Sequence, residues 1–510
     1  MTALVLGIDV GTGGVKTLLL DASGRVRATA FVAHPLSTPR PRYSEQDPAN
    51  WWDGVVGAIA AVCEHAAVTP SVIEAIGLTG QMHGLVLLDE RDRVLRPAIL
   101  WNDQRTDAEC RLIHERLGEA EMIRVTGKPV LTGFTAPKIL WVARNEPEVY
   151  ARVRHVLLPK DYVRQRLTGA YATDVADASG TSLLDLSTRG WSKRVLDALE
   201  IPAAWMPTVG ESPAVSAHVS TEAAARTGLA AGTPVVNGAG DQAAEAIGCG
   251  VTQPGPVSVT IGTSGVVFAA SATPPIDDSG RLHGFCHAVP GMWHVMGVML
   301  SAGGSLRWFR DTLAADLLAR AAATQVDPYE LIIAEAASRP AGCEGLLFLP
   351  YLTGERTPHP DPHARGAFVG LTLRHDRGHL ARAVLEGVSF GLRDGLEIVR
   401  DLGLPLTSVR SSGGGARSAT WRQMLADVFD AEVTTVNVSE GAAFGAAILA
   451  AVGAGRYPGV ADAVNDIVRE GPMTTPGPDR VVYATAYPRY RALYPALARS
   501  FRDAADTGRE

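Results

Sequence analysis

The chain lacks any long apolar run. No stretch approaches the ~18 consecutive apolar residues of a membrane-crossing helix, and the first residues lack the basic start and apolar core of a secretion signal. Cysteine is sparse: Cys63, Cys110, Cys249, Cys286 and Cys343 are scattered, odd in number and never spaced as CxxC. That pattern suggests neither a disulfide framework nor a cysteine zinc site, and reduced thiols in a cytoplasmic protein are expected. Positive charge is not in excess either. The net charge of −7 and pI near 6.0 give no basic surface for nucleic acid. Low-complexity segments are missing as well. What remains is an ordinary globular composition, 46% hydrophobic and 20% charged, in a chain of 510 residues. That is too long for one core, so at least two domains are expected.

Chemistry concentrates at glycine turns. Val235-Val236-Asn237-Gly238-Ala239-Gly240-Asp241 reads as a strand end, a turn and a helix start, with Asp241 at the helix mouth. Glycine permits the torsions such a turn needs. A single carboxylate placed there, near the middle of the chain, is a candidate general base. The same residues fit Gly-x-Gly-x-x-Ala, a dinucleotide fingerprint. That reading needs an acidic residue about 20 positions on, where this chain has Gly, Pro, Ser and Thr. Near the start, Leu4 to Val10, Gly11-Thr12-Gly13-Gly14 and Val15 to Leu20 form a strand–turn–strand pattern, a hairpin. Lys16-Thr17 resembles the end of a P-loop, but the glycine required before the lysine is Val15. The backbone N–H groups of such a tip suit phosphate oxygens. Asp9, just before it, reads equally as a turn cap or a functional carboxylate. After a linker at 251–256, Val257 to Phe268 repeats the pattern around Gly262-Thr263-Ser264-Gly265. Ser411-Ser412-Gly413-Gly414-Gly415-Ala416-Arg417-Ser418 then leads into a helix, where three glycines suit close approach of a base or phosphate.

Other segments frame these turns. Ser44 to Pro48 signals a helix start. Ile73 to Leu78 predicts a buried strand ending in Thr79-Gly80-Gln81-Met82-His83-Gly84, and residues past such strand ends commonly face a ligand crevice. His83 reads equally as a structural histidine or a ligand contact. Leu100 is followed by the polar cluster Asn102 to Arg105, Lys160-Asp161-Tyr162 starts a helix, and Asp174 to Asp185 predicts a polar loop able to line a cleft. Glu440 to Ala447 predicts a helix whose small residues let another backbone approach closely.

Taken in order, these segments resemble the FGGY family of carbohydrate kinases over nearly the whole chain. They are Gly7 to Lys16, Gly80 to Gly84, Leu100 to Asp103, Lys160 to Tyr162, Gly238 to Ala244, Ile261 to Gly265, Leu349 to Pro358 and Ser412 to Ser418. Each is short, and their order and number carry the resemblance. It implies an α/β fold of two actin-like (ribonuclease-H-like) domains with an interdomain cleft. Residues 1–250 would form the sugar-binding N-terminal domain, and 251–510 the MgATP-binding C-terminal domain. Met82-His83 stands where glycerol kinase-like members carry Arg-Glu, a pattern of members acting on pentuloses. The implied activity is ATP-dependent phosphorylation of D-xylulose to D-xylulose 5-phosphate. Asp241 would be the catalytic base, weak but adequate in a loose transition state at an ordinary aspartate pKa near 3.9. Met82, His83, Asn102, Asp241 and Gln242 would contact the sugar. Thr12, Gly13, Lys16, Gly262, Thr263, Ser264, Gly414, Gly415 and Ser418 would hold ATP, with Mg²⁺ at Asp9 and Asp241. A sister activity on ribulose, gluconate or glycerol stays open, as does a non-catalytic sugar-binding relative. A chaperone-type ATPase or a sugar-sensing repressor is disfavoured, since neither a peptide-binding extension nor a helix-turn-helix is evident. The expected partners are a pentulose and MgATP, without nucleic acid or membrane. Oligomeric state is left open, a homodimer included.

Overall fold

The structure, a computed structural model, describes residues 3–437 and 441–507. The chain divides into two compact units that interleave in sequence. The first comprises Met1–Gln253, Ala270–His294 and Glu440–Arg469; the second comprises Pro254–Ala269, Val295–Ser439 and Glu470–Glu510. One of the boundaries falls in the expected linker, between Gln253 and Pro254.

The first unit is built on β1 (Leu4–Val10), β2 (Gly14–Asp21), β3 (Val26–Ala33), β4 (Ile73–Gly80), β5 (Val215–His218) and β6 (Pro234–Val236). They lie in the order β5-β6-β4-β1-β2-β3, with a two-residue strand β7 (Ala239–Gly240) added to β4. As expected, β1 and β2 form an antiparallel hairpin, closed by Gly11 N–H donating to Gly14 O at 3.0 Å. Strand β4 runs parallel to β1. One face of the sheet packs on helices α1 (Pro48–His65) and α2 (Pro159–Thr168), burying Leu6, Ile8, Trp51, Val55, Ile59 and Val163 together. Each such side chain contributes about 1.5–3 kcal/mol by leaving water. Helix α1 starts where Asp47 caps the Ala49 N–H and Pro48 takes the first turn. Within the segment read as a polar loop, Val175–Ser179 form a short helix, α3, capped by Asp174 and buried throughout, and turns follow it. Five residues of Val, Ala, Ser and Asp carry no periodicity that marks a helix. Helix α4 (Asp241–Gly248) begins at Asp241.

The second unit repeats this plan. Strands β8 (Gly255–Ile261), β9 (Gly265–Ser271), β10 (Trp293–Met299), β11 (Leu406–Ser412), β12 (Val433–Val436) and β13 (Glu470–Thr474) lie in the order β10-β9-β8-β11-β12-β13. The senses match those of the first sheet: β8 is antiparallel to β9 and parallel to β11, while β12 is parallel to β11 and antiparallel to β13. The Thr/Gly hairpins expected to open each half are thus equivalent positions of a duplicated α/β sheet. Helices α5 (Gly303–Leu313), α6 (Arg377–Asp401) and α7 (Ala419–Phe429) complete this unit, and the terminal helix Arg480–Thr507 follows.

Helix α8 (Gly441–Gly453) returns to the first unit and covers the other face of its sheet. Glu440, expected to begin this helix, lies outside the described residues. The small-residue pattern serves close approach, as expected. A Cβ on Gly77 of β4 would fall 1.9 Å from the Ala446 carbonyl oxygen, and one on Gly7 of β1 2.0 Å from that of Ala443. Backbone therefore lies directly on backbone, and neither sheet position accepts a side chain.

Candidate active site

In the first unit the sheet register gathers the site. Asp9 of β1 pairs with Lys16 of β2 and with Thr79 of β4, and Thr79 pairs in turn with Ala239 of β7. Asp9, Thr79 and Ala239 therefore lie abreast, and Asp241 follows two residues later at the start of α4. Gly238 makes that turn with φ +72°, and a Cβ there would lie 1.9 Å from the Leu78 carbonyl oxygen. Asp241 keeps part of its surface open to solvent while protein atoms crowd round its carboxyl. Its carboxyl is pushed up to about 8, first by burial of its charge and then by repulsion from Asp9 and Glu245. The Gln242 backbone N–H and side chain oppose this by donating to it. Asp9 is raised to about 6, mainly by burial, with Lys16 drawing it down and Glu245 pushing it up. The expectation of an ordinary weak aspartate at 241 is corrected here, because burial of its charge and then two further acids raise it.

Beyond the end of β4, Gln81, Met82 and His83 are all buried. His83 adopts φ +67°, and its carbonyl is held by Lys138 Nζ at 2.9 Å and Thr135 Oγ1 at 3.1 Å. Its Nδ1 lies 2.7 Å from the Gly180 carbonyl oxygen, just past α3. A carbonyl only accepts, so Nδ1 carries a proton. Met82 packs against Gly240 and Gly180: a Cβ on either would come within 3.0 Å of its side chain. The Asn102 side-chain oxygen is buried without a hydrogen-bond partner.

The first hairpin tip is braced by side chains. Thr12 Oγ1 donates to Gln81 Oε1 at 3.1 Å and accepts from Trp101 Nε1 at 2.9 Å, while Gln46 Nε2 donates to the Thr12 carbonyl at 2.7 Å. The Thr12 hydroxyl is thus engaged within the protein as both donor and acceptor.

Below Met82 lies a charged cluster that sequence reasoning did not assign to the site. Lys160 Nζ stands 2.6 Å from Asp161, 2.7 Å from Asp174 and 3.3 Å from Asp177, all four side chains fully buried. Arg164 adds a second cation 3.7 Å from Asp161 and donates to the Val236 carbonyl at 2.6 Å, which ties the cluster to the strand leading into Asp241. Burial, partly offset by Lys160, raises Asp174, and Asp177 lies well above the usual carboxylate range, pushed further by Asp174, Asp161 and Asp241. The Lys-Asp of 160–161 was visible in the sequence, but its partners 174 and 177 were hidden in the presumed loop.

In the second unit, a cavity of about 820 Å³ is lined by Gly262 and Thr263 of the hairpin tip, by Gly303 and Arg307 of α5, and by Gly414, Gly415 and Ser418 before α7. Five of the expected ATP residues therefore share one cavity. Ser264 does not line it, and Thr12, Gly13 and Lys16 belong to the first unit. Ser418 Oγ also caps α7, accepting from Trp421 N–H at 3.2 Å. A Cβ on Gly414 would meet nothing within 4 Å, so the middle glycine faces open space, where a side chain would take ligand volume. The cavity residues Gly303, Arg307 and Tyr329 were missed. The Gly303-Gly304 pair, whose N–H groups bond the 262–263 carbonyls at 2.9 Å, was the available signal.

Residues 4–248 match the N-terminal domain of the FGGY family of carbohydrate kinases, and residues 257–454 match its C-terminal domain. The chain belongs to this family. It is 42% identical to the xylulose kinase of Escherichia coli K12, covering 97% of this chain and 99% of that one. It is 32% identical to the gluconokinase of Bacillus subtilis 168, over 99% and 98%. Among solved structures it resembles the xylulose kinase of Rhodospirillum rubrum, with TM-score 0.90, 34% identity and coverage of 98% and 100%. Its two-unit α/β fold is the actin-like fold of that family. Among the described residues, no helix is long and apolar enough to cross a membrane.

Proposed function

We propose that this protein transfers the γ-phosphoryl group of ATP to the terminal hydroxyl of D-xylulose, giving D-xylulose 5-phosphate, as a cytoplasmic enzyme. The observation that carries this reading is the packing of Met82 against Gly240, the residue before Asp241. The full-length likeness to xylulose kinases supports it. Residues 1–250 would serve mainly the sugar and 251–510 mainly the nucleotide.

Asp241 accepts the hydroxyl proton as the oxygen attacks phosphorus. In a loose transition state the alcohol keeps its proton until late, and a carboxylate with raised proton affinity takes it more readily than an ordinary one. The Gln242 donors steady the anionic form. Met82 offers the sugar an apolar wall, His83 contacts the sugar beside it, and Asn102 Oδ1 supplies an acceptor. In the second unit, the backbone N–H groups around Gly262, Thr263 and Ser264 would hold phosphate oxygens, and Thr12, Gly13 and Lys16 offer a like set of donors in the first. Gly414, Gly415 and Ser418 border the adenosine. Most of the acceleration comes from alignment and charge stabilisation.

A magnesium ion fits the acidic pair. Asp9 Oδ1 is buried without a hydrogen-bond partner, and Asp9 and Asp241 repel each other. Magnesium keeps waters and takes substrate oxygens, so a pair of carboxylates is enough to hold it. Asp9 and Asp241 would hold it through water, and when bound it neutralises charge on the phosphate oxygens.

The likeness to a gluconokinase favours one second reading, phosphorylation of gluconate. A panel of D-xylulose, ribulose, gluconate and glycerol in an ADP-release assay decides. D-xylulose is expected to give the highest kcat/KM, and a higher value for gluconate would overturn the substrate assignment.

A further inference from the structure

The buried acid Asp177 has no role in the scheme so far. It lies on α3, with both carboxylate oxygens buried and neither hydrogen-bonded within the protein. Its cationic neighbour Lys160 sits closer to Asp161 and Asp174, at 2.6 and 2.7 Å, than to Asp177 at 3.3 Å. The side chain turns toward the proposed sugar site. A Cβ built on Gly240 would lie 3.3 Å from Asp177 Oδ1 and 2.7 Å from Met82 Cγ, so the carboxylate and the thioether flank the residue before Asp241. The same segment holds His83 through the Gly180 carbonyl. A buried acceptor left unpaired is costly. Repulsion between Asp177 and Asp241 disfavours a direct bond between them, whereas a ligand carrying O–H donors satisfies both.

We propose that Asp177 is a specificity-determining sugar ligand, accepting a hydrogen bond from a secondary hydroxyl of the ketose, at C3 or C4, while Asp241 takes the terminal one. This rests on the sugar-kinase reading above. Asp174, which shares Lys160 but caps α3 by accepting the Asp177 N–H at 2.9 Å, supplies the structural control.

The test compares wild type, Asp177→Asn, Asp177→Ser and Asp174→Asn on D-xylulose and its 3-deoxy and 4-deoxy analogues. Wild-type turnover of D-xylulose checks the underlying reading independently. In wild type, one deoxy analogue should lose roughly 10- to 100-fold in kcat/KM, the range for leaving a buried acceptor unsatisfied. In both Asp177 variants KM for D-xylulose should rise by a similar factor, and the penalty for that analogue should shrink to about threefold or less, with KM for ATP unchanged. Asp174→Asn should keep the full penalty. Equal effects of the Asp174 and Asp177 variants on sugar KM would overturn the proposal. So would a wild-type enzyme that turns over D-xylulose but loses less than about threefold with either analogue, a result that needs no variant to fold.

Discussion

Replacing Glu245 with Gln should move the acidic limb of the pH–rate profile to lower pH. Glu245 stands one helical turn after Asp241 on α4 and opposes ionisation of both Asp241 and Asp9. Residues four apart on a helix lie about 5–6 Å from one another. Two unit charges at ~6 Å repel by roughly 1.4 kcal/mol at an effective dielectric of about 40, between the values for a protein surface and for water. One pKa unit corresponds to about 1.36 kcal/mol, so the substitution is worth about one unit. Removing a negative neighbour lowers a carboxyl's pKa, which makes the base form available at lower pH. With sugar and nucleotide both below saturation, kcat/KM reports the free enzyme. It should rise through about pH 8 in the parent and through roughly pH 7 in Glu245→Gln. The variant should therefore be faster at pH 7 and equal at pH 9. A limb that stays in place, or moves up, refutes the electrostatic account of Asp241.

Other outcomes follow from the same geometry. Lys160→Met strands three buried carboxylates, and urea titration should show a loss of about 3–5 kcal/mol or no folded protein; an unchanged midpoint contradicts the cluster. Gly77→Ala forces a Cβ against the Ala446 carbonyl, which would lie 1.9 Å away, and should lower stability by about 1–3 kcal/mol or more, read in the same titration. Asp241, raised from 3.8 to about 8, holds a proton in the native protein across a window where the unfolded chain has released it. Stability should fall as pH rises through that window, and Asp241→Asn should flatten the decline between pH 5 and pH 8. A parallel decline in both proteins would show that another group is responsible.

The parts of this site legible in the sequence are those whose backbone demands glycine. The Gly238-to-Asp241 turn, the two Thr/Gly hairpins and the small-residue helix could be read because a missing Cβ leaves a mark on composition. Helix α3 could not, since five residues capped by Asp174 look like a polar loop. The Lys160 cluster was hidden because its members meet only when α2 packs beside α3. The raised proton affinity of Asp241 was out of reach for the same reason. It depends on burial in the assembled unit and then on Asp9, which a parallel sheet brings alongside from far away in the sequence. Local conformation is written in local residues, whereas electrostatic character belongs to the assembled sheet.

The central claim is that Asp241 takes the proton from the sugar hydroxyl. Asp241→Asn measures this most directly, with turnover followed by ADP release and sugar binding by calorimetry on the same preparation. Turnover should fall about 10²- to 10⁴-fold, the range for loss of a positioned base, while sugar affinity stays within about threefold. Turnover near the parent value, with sugar bound normally, would contradict the account.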